Sequence, residues 1–296
     1  MPLWIILTLL AAAAQTLRFA LQKRLGGGRL TPAGATFARF LFAAPLALVA
    51  AGTALAATGG IGTPSVAFWG FVLIGGVAQI LATELTVALF QMRNFAVGVA
   101  FTKTEVVQAA LFSLVVLGEV VGAAGLAAIA LGLAGVLILS LNPAKRTQHL
   151  GRAAVMGVLA GALFAIASVG FRGATLELGS ASFALRAVVA LAAATTIQTA
   201  LMALWLTWRQ PGEVGRVLAA WRATAPVGVA GLTGSLFWFA AFALQNAAYV
   251  RALGQVEVVF SLAVSALFFR EKLGWREAAG IVLILAATLV LVLSVA

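Results

Sequence analysis

Residues 94–119 read NFAVGVAFTKTEVVQAALFSLVVLGE, and residues 246–271 read NAAYVRALGQVEVVFSLAVSALFFRE. The two stretches lie 152 residues apart. At that shift Asn94 falls on Asn246, Glu105-Val106-Val107 on Glu257-Val258-Val259, Ser113 on Ser265, Glu119 on Glu271 and Gly122 on Gly274, with no gap. Apolar matches alone would carry little weight in a chain that is 63% hydrophobic. The matched polar residues carry more, because apolar bias does not produce them. Earlier in each copy Arg39 pairs with Arg186 at a slightly different shift. The chain therefore reads as two copies of one unit, residues 1–145 and 146–296.

Composition sets the solvent. Of the 296 residues only 9% are charged, against about 25% in soluble domains. So little charge cannot cover a water-exposed surface, and so much hydrophobicity excludes disorder. A spanning helix needs about 20 apolar residues. Ten apolar runs fit, near 3–22, 33–51, 66–90, 95–116, 121–141, 153–172, 181–207, 225–247, 252–269 and 276–295. They are too long and too uniformly apolar for barrel strands. The predicted fold is an all-α membrane protein of ten helices, built as two five-helix repeats around a central cavity. The first run reads as a span rather than a cleaved leader, since no Lys or Arg precedes it. The third and seventh runs exceed one span; Gly75-Gly76 and Thr195-Thr196 mark where either would break if it did not tilt.

Five helices per copy is an odd number, so the second copy must enter the membrane inverted. The charges agree. Loops after odd-numbered helices contain Lys23, Arg24, Arg29, Arg93, Lys145, Arg146, Arg152, Arg209, Arg216, Arg222, Arg270, Lys272 and Arg276, whereas the other loops contain Arg172 and Arg251. The positive-inside rule then puts odd-numbered loops in the cytoplasm and both termini in the periplasm. The net charge of +11 is thereby a topological label, and nucleic acid is not an expected partner. With no Cys and a single His, His149, the usual metal, haem and nucleophile chemistry lacks its residues. No catalytic residue, metal or cofactor is expected.

Ionisable groups at helix centres cost at least about 2.5–3.5 kcal/mol each, so they should pair or line a wet cavity. Those read within spans are Arg18, Arg39, Glu84, Lys103, Glu105, Arg186 and Glu257. Glu105 and Glu257 occupy equivalent repeat positions, which makes them the proton-coupling candidates; a structural pair with an Arg on another helix is the alternative. Lys103, two residues away and rotated by about 200° on a helix, should point off the Glu105 face unless its long stem returns. Arg39 and Arg186 read as interfacial anchors, and Glu119 and Glu271 as helix-capping turn residues. Gly118/Gly122, Gly157/Gly161 and Gly228/Gly231/Gly234 have the spacing of close helix contacts.

In these features the chain resembles the drug/metabolite transporter superfamily, in its EamA-type ten-helix branch. The resemblance rests on the two five-helix halves, on Leu117-Gly118-Glu119 and Phe269-Arg270-Glu271-Lys272-Leu273, on the Gly-rich helix ending at Leu139, and on Arg39 and Arg186. It implies inner-membrane transport of small organic solutes, often export of amino acids or other metabolites, without a requirement for oligomers. Protons are a candidate coupling ion. It also implies a cavity between helices 1, 3, 4, 6, 8 and 9. On this chain that assigns Gln15, Arg18, Gln79, Glu84, Lys103, Glu105, Phe164, Ser168, Trp238, Asn246 and Glu257 to substrate binding. The aromatic amino acid exporter branch is similar, but carries a Trp-Pro element where this chain has Phe101-Thr102-Lys103-Thr104-Glu105. A flippase of a phosphate-bearing lipid is the alternative, with Arg18 and Lys103 to attract phosphate.

Overall fold

The computed structural model describes residues 1–25, 30–92, 102–140, 150–179, 181–268 and 275–295. Asn94, Arg29, Arg93, Phe101, Lys145, Arg146, His149 and the whole Phe269–Gly274 turn, with Glu271 and Gly274, lie outside the described residues. The described helices are α1 (Leu3–Leu25), α2 (Pro32–Thr58), α3 (Val66–Met92), α4 (Glu105–Leu117), α5 (Ala123–Ser140) and α6 (Leu150–Glu177), followed by α7 (Phe183–Arg209), α8 (Glu213–Ala219), α9 (Trp221–Leu244), α10 (Ala247–Leu253), α11 (Val256–Leu267) and α12 (Trp275–Val295). A 3-10 turn, Thr102–Thr104, leads into α4. Among the described residues seven segments are long and apolar enough to cross a membrane, with Ala247–Val264 counted as one; Ala123–Gly135 and Val282–Leu293 are shorter apolar helices. This is an all-helical membrane protein. Large apolar side chains such as Val49, Ile74, Val115, Leu204 and Leu289 are exposed on its outside, as lipid contact requires.

Local sequence explains the helix ends. Thr31 caps α2 by accepting from Gly34 N at 3.0 Å, and Pro32 starts the helix with its φ already set. Gly59 closes α2 in the left-handed conformation, φ 78°, where a side chain would be strained. Ser182 caps α7 in the same way as Thr31, accepting from Leu185 N. Both long runs are continuous helices. Twenty-seven residues rise about 40 Å against a hydrocarbon core of about 30 Å, which favours tilt over a break. Gly75 is a packing position instead: a Cβ there would lie 3.1 Å from Phe171, and one on Gly170 would lie 3.0 Å from Gly75 Cα. The absent side chains let α3 and α6 approach closely.

Two sequence expectations need correction. The ninth run is not one helix from 252. Its helical path starts at Ala247 and breaks at Gly254-Gln255, because the Asn246 side chain caps α10 by accepting from Ala248 N at 2.8 Å. At Gly254 a Cβ would sit 2.7 Å from the Trp238 ring, so this break lets the chain pass over that ring. In the fourth run the described part is the 3-10 turn Thr102–Thr104 followed by α4; its residues 95–101 lie outside the described residues. Between α7 and α9 the short helix α8 was missed. Its Glu213 is fully buried, accepts from Thr31 N at 2.7 Å and pairs with Arg216, tying α8 to the start of α2.

The principal packed pairs are α3 with α6, α5 with α12, α1 with α9, α2 with α7, α2 with α9, α4 with α6, α7 with α9 and α1 with α11. The core is aromatic where α6 meets α9, with Phe171 and Phe239 ring centroids 4.4 Å apart.

Candidate functional site

Six elements converge on a buried polar chain at the centre of this packing. Trp238 Nε1 on α9 donates to Gln15 Oε1 on α1 at 3.0 Å. Gln15 Nε2 donates to Glu257 Oε2 on α11, also at 3.0 Å. Indole is only a donor and carboxylate only an acceptor, so these neighbours fix the amide orientation. Lys103 Nζ then donates to Glu257 Oε2 at 2.6 Å and to Glu105 Oε1 at 3.3 Å. Arg251 Nη2 on α10 donates to Glu105 Oε2 at 2.6 Å. All six side chains are buried. Four of these five links join a residue before 146 to one after it; Lys103–Glu105 alone does not.

Low dielectric makes such a chain strong when complete and costly when cut. Arg251 also sits 4.8 Å from the centroid of the Trp238 ring and 5.7 Å from that of Phe164, which gives its guanidinium an aromatic cover. Beside this chain lies a small void lined by Gln15, Gln79, Phe164, Ser168, Trp238 and Arg251, among others. Its volume is about 10 Å³, room for one water at most. Among the described residues, the space beside the buried chain is therefore closed in this conformation, with aromatic side chains of α6 and α9 lining it.

The family match fits what has been built. The EamA-like transporter family model matches residues 151–293. The second half of the chain, residues 151–293, therefore belongs to the EamA-like transporter family. Among solved structures, a crystal structure with 17% sequence identity aligns over 96% of this chain and 97% of its own, with a TM-score of 0.67. At that identity the likeness speaks for fold alone. No curated protein matches.

Within the EamA-type frame the predicted site residues divide. Gln15, Lys103, Glu105, Trp238 and Glu257 meet in the buried chain, and Phe164, Ser168 and Gln79 line the void beside it. Ser168 Oγ donates to Phe164 O at 2.7 Å, and Gln79 accepts from Gln198 at 2.9 Å. Lys103 does not point away from Glu105, as helical rotation implied. It sits in the 3-10 turn, where that rotation does not apply, and its stem returns to both carboxylates. Glu84 is elsewhere: it lines a lateral groove of about 560 Å³ with Leu81, Leu201, Trp205 and Trp208. Asn246 is used as a cap rather than as cavity lining.

Arg39 is no interfacial anchor. It is 2% exposed and donates to Thr83 at 3.1 Å and to Ser235 at 3.0 Å. Arg186, half-buried, donates to the Ala243 carbonyl at the end of α9. Glu119 holds Arg172 at 2.9 Å instead of capping a helix. Arg251 was missed by placing it in a loop. The available signal was Asn246, an N-cap residue ahead of Ala247-Ala248, which puts Arg251 inside a helical turn.

Proposed function

We propose that this chain is a secondary carrier that exports amino acids or related metabolites across the inner membrane by alternating access. Its moving parts are two inverted halves, residues 1–145 and 146–296. The observation that carries the reading is the buried chain Trp238–Gln15–Glu257–Lys103–Glu105–Arg251, nearly all of whose links cross between the halves. Rocking one half against the other must part those links and open the closed void to one side. The packing supports the inversion. Exchanging the halves turns the α1–α9 pair into α6–α3, turns α1–α11 into α6–α4, and returns α2–α7 and α5–α12 to themselves. Protons are the proposed coupling ion, accepted by Glu105 and Glu257 once their cations leave. Charge bias supports cytoplasmic odd-numbered loops and periplasmic termini.

The test is reconstitution in liposomes with a panel of labelled amino acids and metabolites. Saturable counterflow is the expected result, abolished in Glu105→Gln and Glu257→Gln. Intact transport in both variants overturns the mechanism. The α1–α11 groove supports the flippase reading. It has about 390 Å³ of apolar space, with Leu17, Phe260 and Val264 in its wall and Arg24 among its lining residues. Headgroup translocation without soluble-solute uptake in the same liposomes would favour that reading.

A further inference from the structure

Resting on the carrier reading, we infer that Arg18 and Arg39 form an oxyanion-binding subsite, so that the substrate is a small organic anion bearing a carboxylate or phosphate. The first observation is a charge imbalance. Around the buried chain four cations, Arg18, Arg39, Lys103 and Arg251, face two carboxylates, Glu105 and Glu257. Those two carboxylates are engaged by Lys103 and Arg251. The other carboxylates whose side chains are described are committed elsewhere. Glu119 holds Arg172, Glu213 holds Arg216, Glu177 accepts from Ser65, and Glu84 lines the lateral groove. Arg18 and Arg39 therefore have only neutral hydrogen-bond partners among the described residues: Gln22 for Arg18, Thr83 and Ser235 for Arg39.

The second observation is an orphaned donor. Arg18 is 1% exposed, yet its Nη2 has no acceptor. A buried guanidinium left partly unbonded is costly, and a carboxylate or phosphate is the group its fork fits.

The third observation is convergence. A Cβ on Gly231 of α9 would lie 2.9 Å from Arg39 Cγ and 3.3 Å from Arg18 Cδ, so both side chains cross the same bare patch of that helix. Ser235, one turn further along, links this patch to the closed void: it accepts from Arg39 and lines the void. An anion held by the two arginines would extend its body from Ser235 toward Phe164, Trp238 and Phe242, the aromatic walls of that void. This makes an apolar or aromatic body the natural partner of the oxyanion. The opening that admits it is the rocking motion proposed above.

The experiment is thermal unfolding of the purified full chain with paired probes: phenylalanine against its amide, 3-phenylpropionate against 3-phenylpropanamide, and inorganic phosphate alone. At probe concentrations far above Kd the carboxylate-bearing member should raise Tm by about 5 °C and its amide by much less. Arg18→Gln and Arg39→Gln should abolish the shift while melting, without probe, within about 3 °C of the native chain, since each removes a buried charge that has only neutral hydrogen-bond partners among the described residues. Arg18→Lys should retain a weakened shift, because charge survives and the fork does not. Equal stabilisation by acid and amide overturns the inference, as do a full shift in both Gln variants and the absence of any shift with every anionic probe. A shift by phosphatidylglycerol micelles that phosphate and the carboxylates fail to give keeps the oxyanion chemistry and assigns it to a lipid headgroup. The two proposals fail separately. Anion-dependent stabilisation without liposome transport would sink the carrier, whereas undiminished transport of carboxylate solutes by both Gln variants would sink the subsite alone.

Discussion

Cutting the Arg251–Glu105 pair should be far more damaging than removing it whole. The pair is closed at 2.6 Å with both side chains almost fully buried. At an effective dielectric of about 20, two unit charges at that distance attract by about 6 kcal/mol. Desolvating each ion costs several kcal/mol, so the net value of the pair is small. The balance changes when one partner goes. Glu105→Gln leaves Arg251 facing a neutral amide, while Lys103 still serves Glu257. One buried positive charge is then uncompensated, which costs about 3–5 kcal/mol. Arg251→Met strands a carboxylate with only the longer 3.3 Å contact to Lys103, and should cost a similar amount. The double variant restores neutrality, because Lys103 and Glu257 remain a pair at 2.6 Å. Its loss should therefore be no larger than that of either single variant, a coupling of about 3 kcal/mol. Unfolding of the three purified variants in mild detergent, by heat or denaturant, measures the cycle. Additive losses would refute the reasoning, since they would mean that the two charges do not feel each other across the two halves.

Gly228→Ala drives a Cβ into Phe42 Cβ at the α2–α9 crossing, and should lower stability by about 1–3 kcal/mol in the same melting assay. Trp238→Phe keeps the ring packing but removes the donor to Gln15, leaving a buried amide oxygen unpaired; about 1–3 kcal/mol should be lost, measured by unfolding. Because the chain has no Cys, single cysteines report sidedness without background. Thr63→Cys should react with an impermeant thiol reagent added to whole cells, and Ala219→Cys only after the membrane is opened. Glu84→Ala, in the lateral groove, should leave solute transport unchanged in liposomes, because that groove lies apart from the buried chain.

Much of the fold was legible because a bilayer imposes a coarse rule. Long apolar runs must be helices, and α1, α2, α3, α6 and α7 lie where their runs predicted. Boundaries that depend on one side chain were less legible. Position 254 has no room for a side chain because the Trp238 ring crosses there, and no local signal announces a ring from another helix. Helix α8 is held by Glu213 reaching a backbone donor 182 residues away, which composition does not encode. In the site, the repeat singled out Glu105 and Glu257 from sequence. It did not single out Arg251, whose equivalent position is Val99.

The sequence by itself determined the solvent, the helical class and a short set of polar residues, because each follows from local composition and from self-similarity at one shift. Tertiary structure decided which of those residues meet. Glu84 and Glu105 are alike as letters in an apolar run, yet one faces a lateral groove and the other two buried cations. Arg18 and Arg39 are 21 residues apart in sequence and converge only because α9 presents Gly231 between them. The physical reason is range. Hydrophobicity acts residue by residue, whereas a buried charge is resolved only by the partner that packing brings within about 3 Å.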